Sequence, residues 1–213
     1  MINELRIYET PPGGLPALNN HFATVTLSFF EKHGIRSFGY WTEEVGTSNR
    51  LLYILEFDDM TQRAEAWASF RSDPDWSPSN LTLRIHNTIL TPTTYSPKKP
   101  TGGEGWVYEL RQYDTEPGHI PALNTRFETV TMGLFEKHGI RNIGYWTEDV
   151  GVNNRLDYIV AYESWAARET SRKGFQEDPE WQEAVRKSQA AGSPVIKTIH
   201  NTLLKPTSFS PLK

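Results

Sequence analysis

The chain has 213 residues, of which 37% are hydrophobic and 12% aromatic, a composition typical of a folded protein rather than a disordered one. Its formal net charge of −4, with no clustered Lys and Arg, argues against a nucleic-acid partner, and the lack of cysteine excludes disulfides, thiolate metal sites and Cys nucleophiles. No apolar run is long enough for a membrane span and no targeting segment precedes the first predicted strand, so we expect a cytoplasmic protein.

The first ninety residues predict alternating strands and helices. Leu5 and Ile7 alternate with polar residues, as in a half-buried strand. Gly34 stands where a long amphipathic helix should end, and Thr61 is the expected N-cap of a second helix. The predicted elements are a strand over 3–9, a helix over 15–33, a hairpin of strands over 35–43 and 51–57, a helix over 63–71 and a strand over 85–90.

The same pattern then occurs a second time. Glu4–Tyr8 returns as Glu109–Tyr113, an offset of 105 residues (109 − 4), and more than half of the following aligned positions are identical. Ile85–Thr88 returns as Ile199–Thr202, an offset of 114 (199 − 85), so the second copy carries nine extra residues (114 − 105) before its last strand. A repeat of this length matches a whole small domain. We predict two homologous domains and a linker, over residues 1–97, 106–213 and 98–105 respectively.

The order strand, helix, two strands, helix, strand is that of the ferredoxin-like fold, in which helices cover one face of the sheet. The other face of each sheet needs a cover, and the second copy supplies it. We therefore predict an α+β chain of two ferredoxin-like βαββαβ repeats, packed sheet to sheet as a pseudo-dimeric α/β barrel. Assembly of such chains into a homo-oligomer is left open.

Several short motifs occur in the same order in both halves. In the first half they are Glu4–Tyr8, Phe30–Ile35, Gly39–Thr42, Asp73–Trp76 and Pro92–Pro97. These motifs resemble those of the NIPSNAP family. The resemblance implies the dimeric α/β-barrel superfamily, which includes cofactor-independent monooxygenases, cyclases, isomerases and haem-binding enzymes. The best-described NIPSNAP proteins are mitochondrial and are discussed in vesicular traffic and mitophagy signalling, so the family itself implies no reaction.

Two pairs of histidines are candidate site residues. His86 and His200 lie in the last strand of each copy, where they either move protons in the barrel or satisfy a structural hydrogen bond. His33 and His138 end the first helix, where they either interact with its terminal carbonyl groups or serve as a base or ligand at the barrel mouth. No flanking pattern supports a haem iron on any of these histidines.

Arg6 and Arg111 are the candidate anion-binding residues. Because burial of an arginine under helices is costly, we expect both to face the barrel. There they either clamp a substrate carboxylate or phenolate, or form structural pairs with Glu4 and Glu109.

Aromatic residues are frequent in the predicted strands. Such residues either pack the core or line a pocket for a flat apolar ligand. The candidates are Tyr8, Tyr113, Tyr40, Tyr145, Trp41, Trp146, Tyr53 and Tyr158.

Differences between the copies add one candidate and one segment. Leu52 is replaced by Asp157, which is a buried carboxylate if Leu52 faces the helices and the best acid or base if it faces the barrel. The inserted residues 190–194 either cover one pocket or form a surface loop.

Signatures for nucleotides, catalytic zinc and nucleophilic serine are absent from the sequence. Together with this absence, the resemblance to the dimeric α/β-barrel superfamily implies a cofactor-independent and metal-independent enzyme of monooxygenase, cyclase or isomerase type, with an apolar or aromatic small molecule in the barrel. The alternative is a non-catalytic interaction or ligand-carrier protein. An enclosed pocket with a titratable group favours the enzyme, and a filled barrel with an exposed apolar patch favours the alternative.

Overall fold

The computed structural model describes residues 1–190 and 196–213. The strands are β1 (Ile2–Glu9), β2 (Arg36–Val45), β3 (Arg50–Phe57), β4 (Arg84–Pro92), β5 (Val107–Asp114), β6 (Arg141–Val150), β7 (Arg155–Tyr162) and β8 (Thr198–Pro206). The helical segments are α1 (Leu15–His21), π1 (Phe22–Thr26), α2 (Leu27–Lys32), α3 (Met60–Ser72), α4 (Ile120–Arg126), π2 (Phe127–Thr131), α5 (Met132–Lys137), α6 (Trp165–Glu177) and α7 (Pro179–Ala190). Within these residues, the structure has no helix with the length and apolar character to cross a membrane.

The eight strands form one closed antiparallel barrel in the order β1-β3-β2-β8-β5-β7-β6-β4. Within the first half (β1–β4) and within the second half (β5–β8), the order is that of the ferredoxin-like fold. The halves join where β2 pairs with β8 and where β4 pairs with β6. The predicted pseudo-dimeric barrel is therefore confirmed.

Side chains of both halves fill the barrel interior. Trp41 and Trp146 are 0% and 2% exposed, respectively. Both lie in one buried cluster with aliphatic residues of the two halves, among them Leu52 and Ile159. The indole Nε1 of Trp146 donates to Asn3 Oδ1 at 3.0 Å, which ties the second half to the first strand. The described side chains of the interior thus form a packed core, and the expectation of a substrate inside the barrel stays a prediction.

The segments after β4 and β8 exchange between the halves. Ser210 Oγ accepts a hydrogen bond from the Tyr40 backbone N–H at 2.9 Å, and Ser96 Oγ accepts the equivalent bond from Tyr145 at 2.9 Å. Phe209 packs on Tyr40 with ring centroids 5.4 Å apart. Each half therefore completes the outer layer of the other.

The helix predicted over residues 15–33 contains one wide turn. It runs as α1, π1 and α2, and the second half repeats this pattern as α4, π2 and α5. Such π turns are rare and are frequently found at functional sites. The predicted cap of the next helix is corrected as well, because Asp59 rather than Thr61 accepts the hydrogen bond of the Gln62 N–H.

The nine-residue insertion begins within a helix that the first half lacks. Helix α7 begins at Pro179, whereas the first half has no helix in the described segment after Trp76. The predicted lid or loop at residues 190–194 lies outside the described residues from 191 onward.

Arg6 lies between the sheet and the helices, so the expectation that it faces the barrel is wrong. Glu4, whose side chain is 0% exposed, accepts hydrogen bonds from Arg6 Nη1 at 2.7 Å, Arg63 Nε at 2.9 Å and Trp67 Nε1 at 2.9 Å. The guanidinium of Arg6 also lies 4.6 Å from the centre of the Trp67 ring. The ion pair and the aromatic face compensate the cost of burying the charge.

Arg111 occupies the same place in the second half, so the same correction applies to it. Its Nη1 donates to Glu109, and Glu109 also accepts from Arg168 Nε at 3.0 Å and from the Tyr162 hydroxyl at 3.2 Å. The structural pairs with Glu4 and Glu109 that the sequence left open are both present.

Glu4→Gln is expected to lower the free energy of unfolding by about 3–5 kcal/mol, because it leaves the buried Arg6 and the half-buried Arg63 without their carboxylate. Burial raises the pKa of Glu4, but the hydrogen bond and charge of Arg63 and the charge of Arg6 outweigh it, so the pKa lies below its ordinary value and the carboxylate is ionised in the folded state. Urea denaturation measures the loss, with the exposed Glu44→Gln as the matched control. A loss no larger than that of the control contradicts a stabilising role for the buried pair.

Candidate functional site

The candidate site is a cleft between the sheet and the helices of the first half, called the first-half cleft below. It contains a cavity of about 160 Å³ and, beside it, a second cavity of about 290 Å³. Both cavities are bordered by Tyr8, Trp67, Phe70 and Trp76. The first cavity extends to α1 and π1, and the second extends to Arg6 and Asn87.

Aromatic rings form the walls of this cleft. Phe70 and Trp76 have ring centroids 4.3 Å apart, and Phe22 meets Tyr8 edge to face at 5.7 Å. An apolar cavity of about 150 Å³ is large enough to bind benzene. The first cavity therefore accommodates one aromatic ring, and the adjoining cavity provides room for a larger bicyclic molecule.

Two residues that border the first cavity each carry a buried polar atom without a partner among the described residues. The two atoms are His21 Nε2 and Thr26 Oγ1, and Thr26 is only 4% exposed. In the second half the counterpart of Thr26 is satisfied, since Thr131 Oγ1 donates to the Arg126 carbonyl at 3.2 Å. Buried polar groups are nearly always hydrogen-bonded, so an unpartnered pair beside a cavity indicates a ligand or an ordered water.

A buried tyrosine–arginine network reaches the cleft from the sheet. Arg6 Nη2 donates to the Tyr8 hydroxyl at 3.1 Å, and Arg6 Nε donates to the Tyr53 hydroxyl at 2.8 Å. Complete burial raises the pKa of Tyr53 well above its ordinary value, so Tyr53 stays neutral. Tyr8 borders both cavities, so its hydroxyl, which is held by Arg6, lies at their edge.

His21 is the residue that the sequence analysis missed. It lies at the end of α1, immediately before the π turn, and its ring centroid is 6.0 Å from that of Trp76. The available signal was the difference between the copies, since the equivalent residue of the second half is Arg126.

His33 and His138 lie at helix ends, outside the barrel mouth. His33 Nε2 lies 2.7 Å from Asp73 Oδ2, and His138 Nε2 lies 2.8 Å from Asp178 Oδ2. Their partners are carboxylates after α3 and α6 rather than the expected helix carbonyls. This arrangement connects the two helices of each layer.

His86 and His200 lie at the same end of the barrel, on opposite sides of it. Their side chains are 49% and 51% exposed, and each faces a carboxylate, Glu9 at 3.4 Å and Asp114 at 3.2 Å. Neither histidine borders the first-half cleft, so both are separate from the cavity that Arg6 borders. The two histidines are also separate from each other, because β4 and β8 lie four positions apart around the barrel.

The predicted aromatic residues divide between the two faces of the sheets. Trp41 and Trp146 face the barrel interior. Six tyrosines face the helices, and of these Tyr8 borders the first-half cleft while the others belong to or pack on the two outer cores: Tyr40, Tyr53, Tyr113, Tyr145 and Tyr158.

Asp157 faces the barrel interior, as does its first-half counterpart Leu52. It is 1% exposed, its Oδ1 accepts from Gln112 Nε2 at 2.6 Å, and its Oδ2 has no partner among the described residues. Burial and the nearby carboxylate of Glu148 raise its pKa from 3.8 to about 8. The structure selects the barrel-facing alternative but surrounds this carboxyl with packed side chains.

Asp157→Asn is expected to gain stability relative to the wild type as the pH rises from about 4 to about 8. In this window the unfolded chain has released the Asp157 proton and the folded chain still holds it, so the wild-type free energy of unfolding falls by up to about 1.4 kcal/mol per pH unit. Below this window Asp157 is protonated in both the folded and the unfolded chain, so its contribution to the pH dependence of stability disappears. Urea denaturation at several pH values measures the effect against the exposed control Asp149→Asn, and parallel profiles for wild type and Asp157→Asn would contradict it.

A larger cavity, about 710 Å³, is a groove on the outside of the molecule. It is bordered by the linker at Glu104 and Trp106, the end of β8 at Lys205, and Trp165. It lies apart from the unpartnered groups of π1, so we place the candidate site in the smaller first-half cleft. Among residues 1–190 and 196–213, no group of three His, Asp or Glu side chains is arranged to hold a metal ion.

The fold defines the class of protein before any relative is considered: a tandem pseudo-dimeric α/β-barrel protein, with its cleft in the outer layer. The NIPSNAP family model matches residues 3–97 and 108–211. The chain belongs to the NIPSNAP family. Protein NipSnap homolog 3B of Mus musculus is 29% identical over 184 residues, which is 82% of this chain and 72% of the mouse protein.

Solved structures with the same tandem barrel are more distant in sequence. A putative monooxygenase from Fusobacterium nucleatum subsp. nucleatum superposes with a TM-score of 0.61 at 12% identity, over 97% of this chain and 92% of its own. An anthrone oxidase-like protein superposes with a TM-score of 0.62 at 11% identity, over 96% and 90% respectively. At this level of identity they show a shared fold.

Proposed function

We propose that the first half binds an apolar aromatic small molecule in the first-half cleft, and that His21 exchanges a proton with it. The observation that carries the proposal is the unpartnered His21 Nε2 beside an aromatic-walled cavity. Flat apolar walls with a few polar groups are the usual composition of a small-molecule site. This proposal moves the predicted substrate from the barrel interior to the outer layer.

The polar groups of the cleft suit removal of a proton from carbon. A neutral imidazole titrates near neutrality and accepts a proton through an unprotonated ring nitrogen. The negative charge that then develops on a substrate carbonyl oxygen is stabilised by a hydrogen bond from Tyr8, whose oxygen is held by the positive charge of Arg6. Formation of such an enolate is the first step shared by isomerases, cyclases and cofactor-independent oxygenases.

The alternative function, a ligand carrier, uses the same cleft without proton transfer. The two are separated by a probe that binds and also reports proton exchange. α-Tetralone is suitable, because it is a bicyclic aromatic ketone with exchangeable hydrogens next to its carbonyl. The cytoplasmic location and any homo-oligomer of this chain remain predictions.

We expect the wild type to bind α-tetralone and to accelerate exchange of its α-hydrogens for deuterium, followed by NMR in D2O. Removal of a general base costs a factor of about 10²–10⁴, so His21→Gln should bind the ketone but lose the acceleration by that factor. Thr26→Phe fills the 160 Å³ cavity and should abolish binding. Thr24→Phe, an exposed change in the same π turn, is its control.

His86→Gln provides the matched histidine control, because His86 lies at the barrel end. Loss of exchange in His86→Gln with full activity in His21→Gln would contradict the proposed site. Binding that Thr26→Phe abolishes, without any accelerated exchange, would establish the carrier function instead.

A further inference from the structure

The helix–sheet layer of the second half differs from that of the first in its charge. Arg126 stands where the first half has His21, and Arg172 stands where it has Trp67. In the first half these two positions border the same cavity. By the symmetry of the repeat, two guanidinium groups therefore stand at the positions of an imidazole and an indole.

These guanidinium groups are incompletely paired among the described residues. Nε and Nη2 of Arg126 and Nη1 of Arg172 are buried without a hydrogen-bond partner. In the part of the chain that the structure describes, the Arg126 side chain has one polar contact, a long one from Nη1 to Ser188 Oγ at 3.4 Å. Leaving a buried charged donor unpaired costs more than an ordinary hydrogen bond contributes, so an occupant that accepts these bonds is strongly favoured.

The chain itself supplies too few carboxylates to neutralise this layer. Glu109 is fully buried there and is already engaged by Arg111, Arg168 and the Tyr162 hydroxyl, and the charge of Arg172 acts on it as well. Asp178, at the end of α6, is engaged by Lys137 and His138. Burial lowers the pKa of Arg126, as expected for a charge without a counterion. The second half thus carries an excess of positive charge behind its helices.

The surroundings of Arg126 provide both a platform and a route of entry. Its guanidinium lies 5.5 Å from the centre of the Trp181 ring, which holds its plane. A cavity of about 340 Å³ between π2 and α7 is bordered by Arg126 together with Thr129, Glu183 and Lys187. Glu183 is paired with Arg186 at 2.7 Å, so this carboxylate is directed to its own helix rather than to Arg126.

We infer that the second half binds a small oxyanion, the carboxylate or phosphate group of a small molecule, between Arg126 and Arg172. A planar guanidinium group binds such an oxyanion by donating two parallel N–H hydrogen bonds to its oxygen atoms. The two halves therefore have different ligands: an apolar aromatic molecule in the first and an anion in the second.

Binding is tested with inorganic phosphate and with benzoate by calorimetry and thermal unfolding, at constant ionic strength set with chloride. The wild type should bind at least one of the two anions saturably and show a higher Tm in its presence. Binding of benzoate alone identifies a carboxylate ligand, and binding of phosphate alone identifies a phosphate ligand. Stabilisation by neither anion beyond chloride, up to roughly 10 mM, overturns the inference.

Arg126→Gln should weaken anion binding at least about tenfold, because a charge-assisted hydrogen bond is lost. Without an anion this variant should be at least as stable as the wild type, since a buried unpaired charge is removed. A purely structural arginine would instead lose stability on substitution and leave anion affinity unchanged.

Arg172→Trp is the second variant, since it restores the residue that packs at this place in the first half, and it should weaken binding to a similar extent. Lys173→Gln, an exposed cation on α6 that is paired with Glu177, is the control and should bind as the wild type does. Wild-type affinity in both Arg126→Gln and Arg172→Trp overturns the inference.

Discussion

Closure of the barrel determines where this molecule can bind anything. Each four-stranded sheet presents two faces, and the inner faces are buried against each other around Trp41 and Trp146. Pairing of β2 with β8 and of β4 with β6 leaves no free sheet edge. Since the interior is packed with side chains, the first-half cleft lies in the outer layer, between the sheet and the helices. There the buried Glu4–Arg6 pair holds Tyr8 at the edge of the cleft.

Duplication allowed the two outer layers to diverge while the barrel stayed symmetric. The ion pairs Glu4–Arg6 and Glu109–Arg111 are repeated almost atom for atom. The residues at the ends of α1 and α4 are not repeated. His21 borders the aromatic cavity of the first half, and Arg126 borders a cavity of the second half that is also bordered by Lys187. A fused chain is free of the constraint that both sites of a two-fold dimer be identical. Two sites with different ligands are the natural result.

The fold followed from the sequence because strand alternation, helical spacing and the repeat all indicate the same topology. The sheet face on which Arg6 lies was predicted wrongly. Burial of an arginine under helices is costly when the charge is unpaired, but Glu4, two residues away on the same strand face, supplies the paired carboxylate. His21 was missed since a helical histidine without a motif carries no local signal, and its importance arises from the cavity that Trp67 and Trp76 enclose from distant positions. Helix α7 was missed because the insertion has no counterpart in the first copy.

The central claim is that the ligand lies outside the barrel, and a crystal structure of the chain with bound α-tetralone tests it most directly. The account predicts density for the ketone between Tyr8, His21 and Trp76, with the second half's layer free of it. Density inside the barrel, between Trp41 and Trp146, would contradict the account and return the site to the interior.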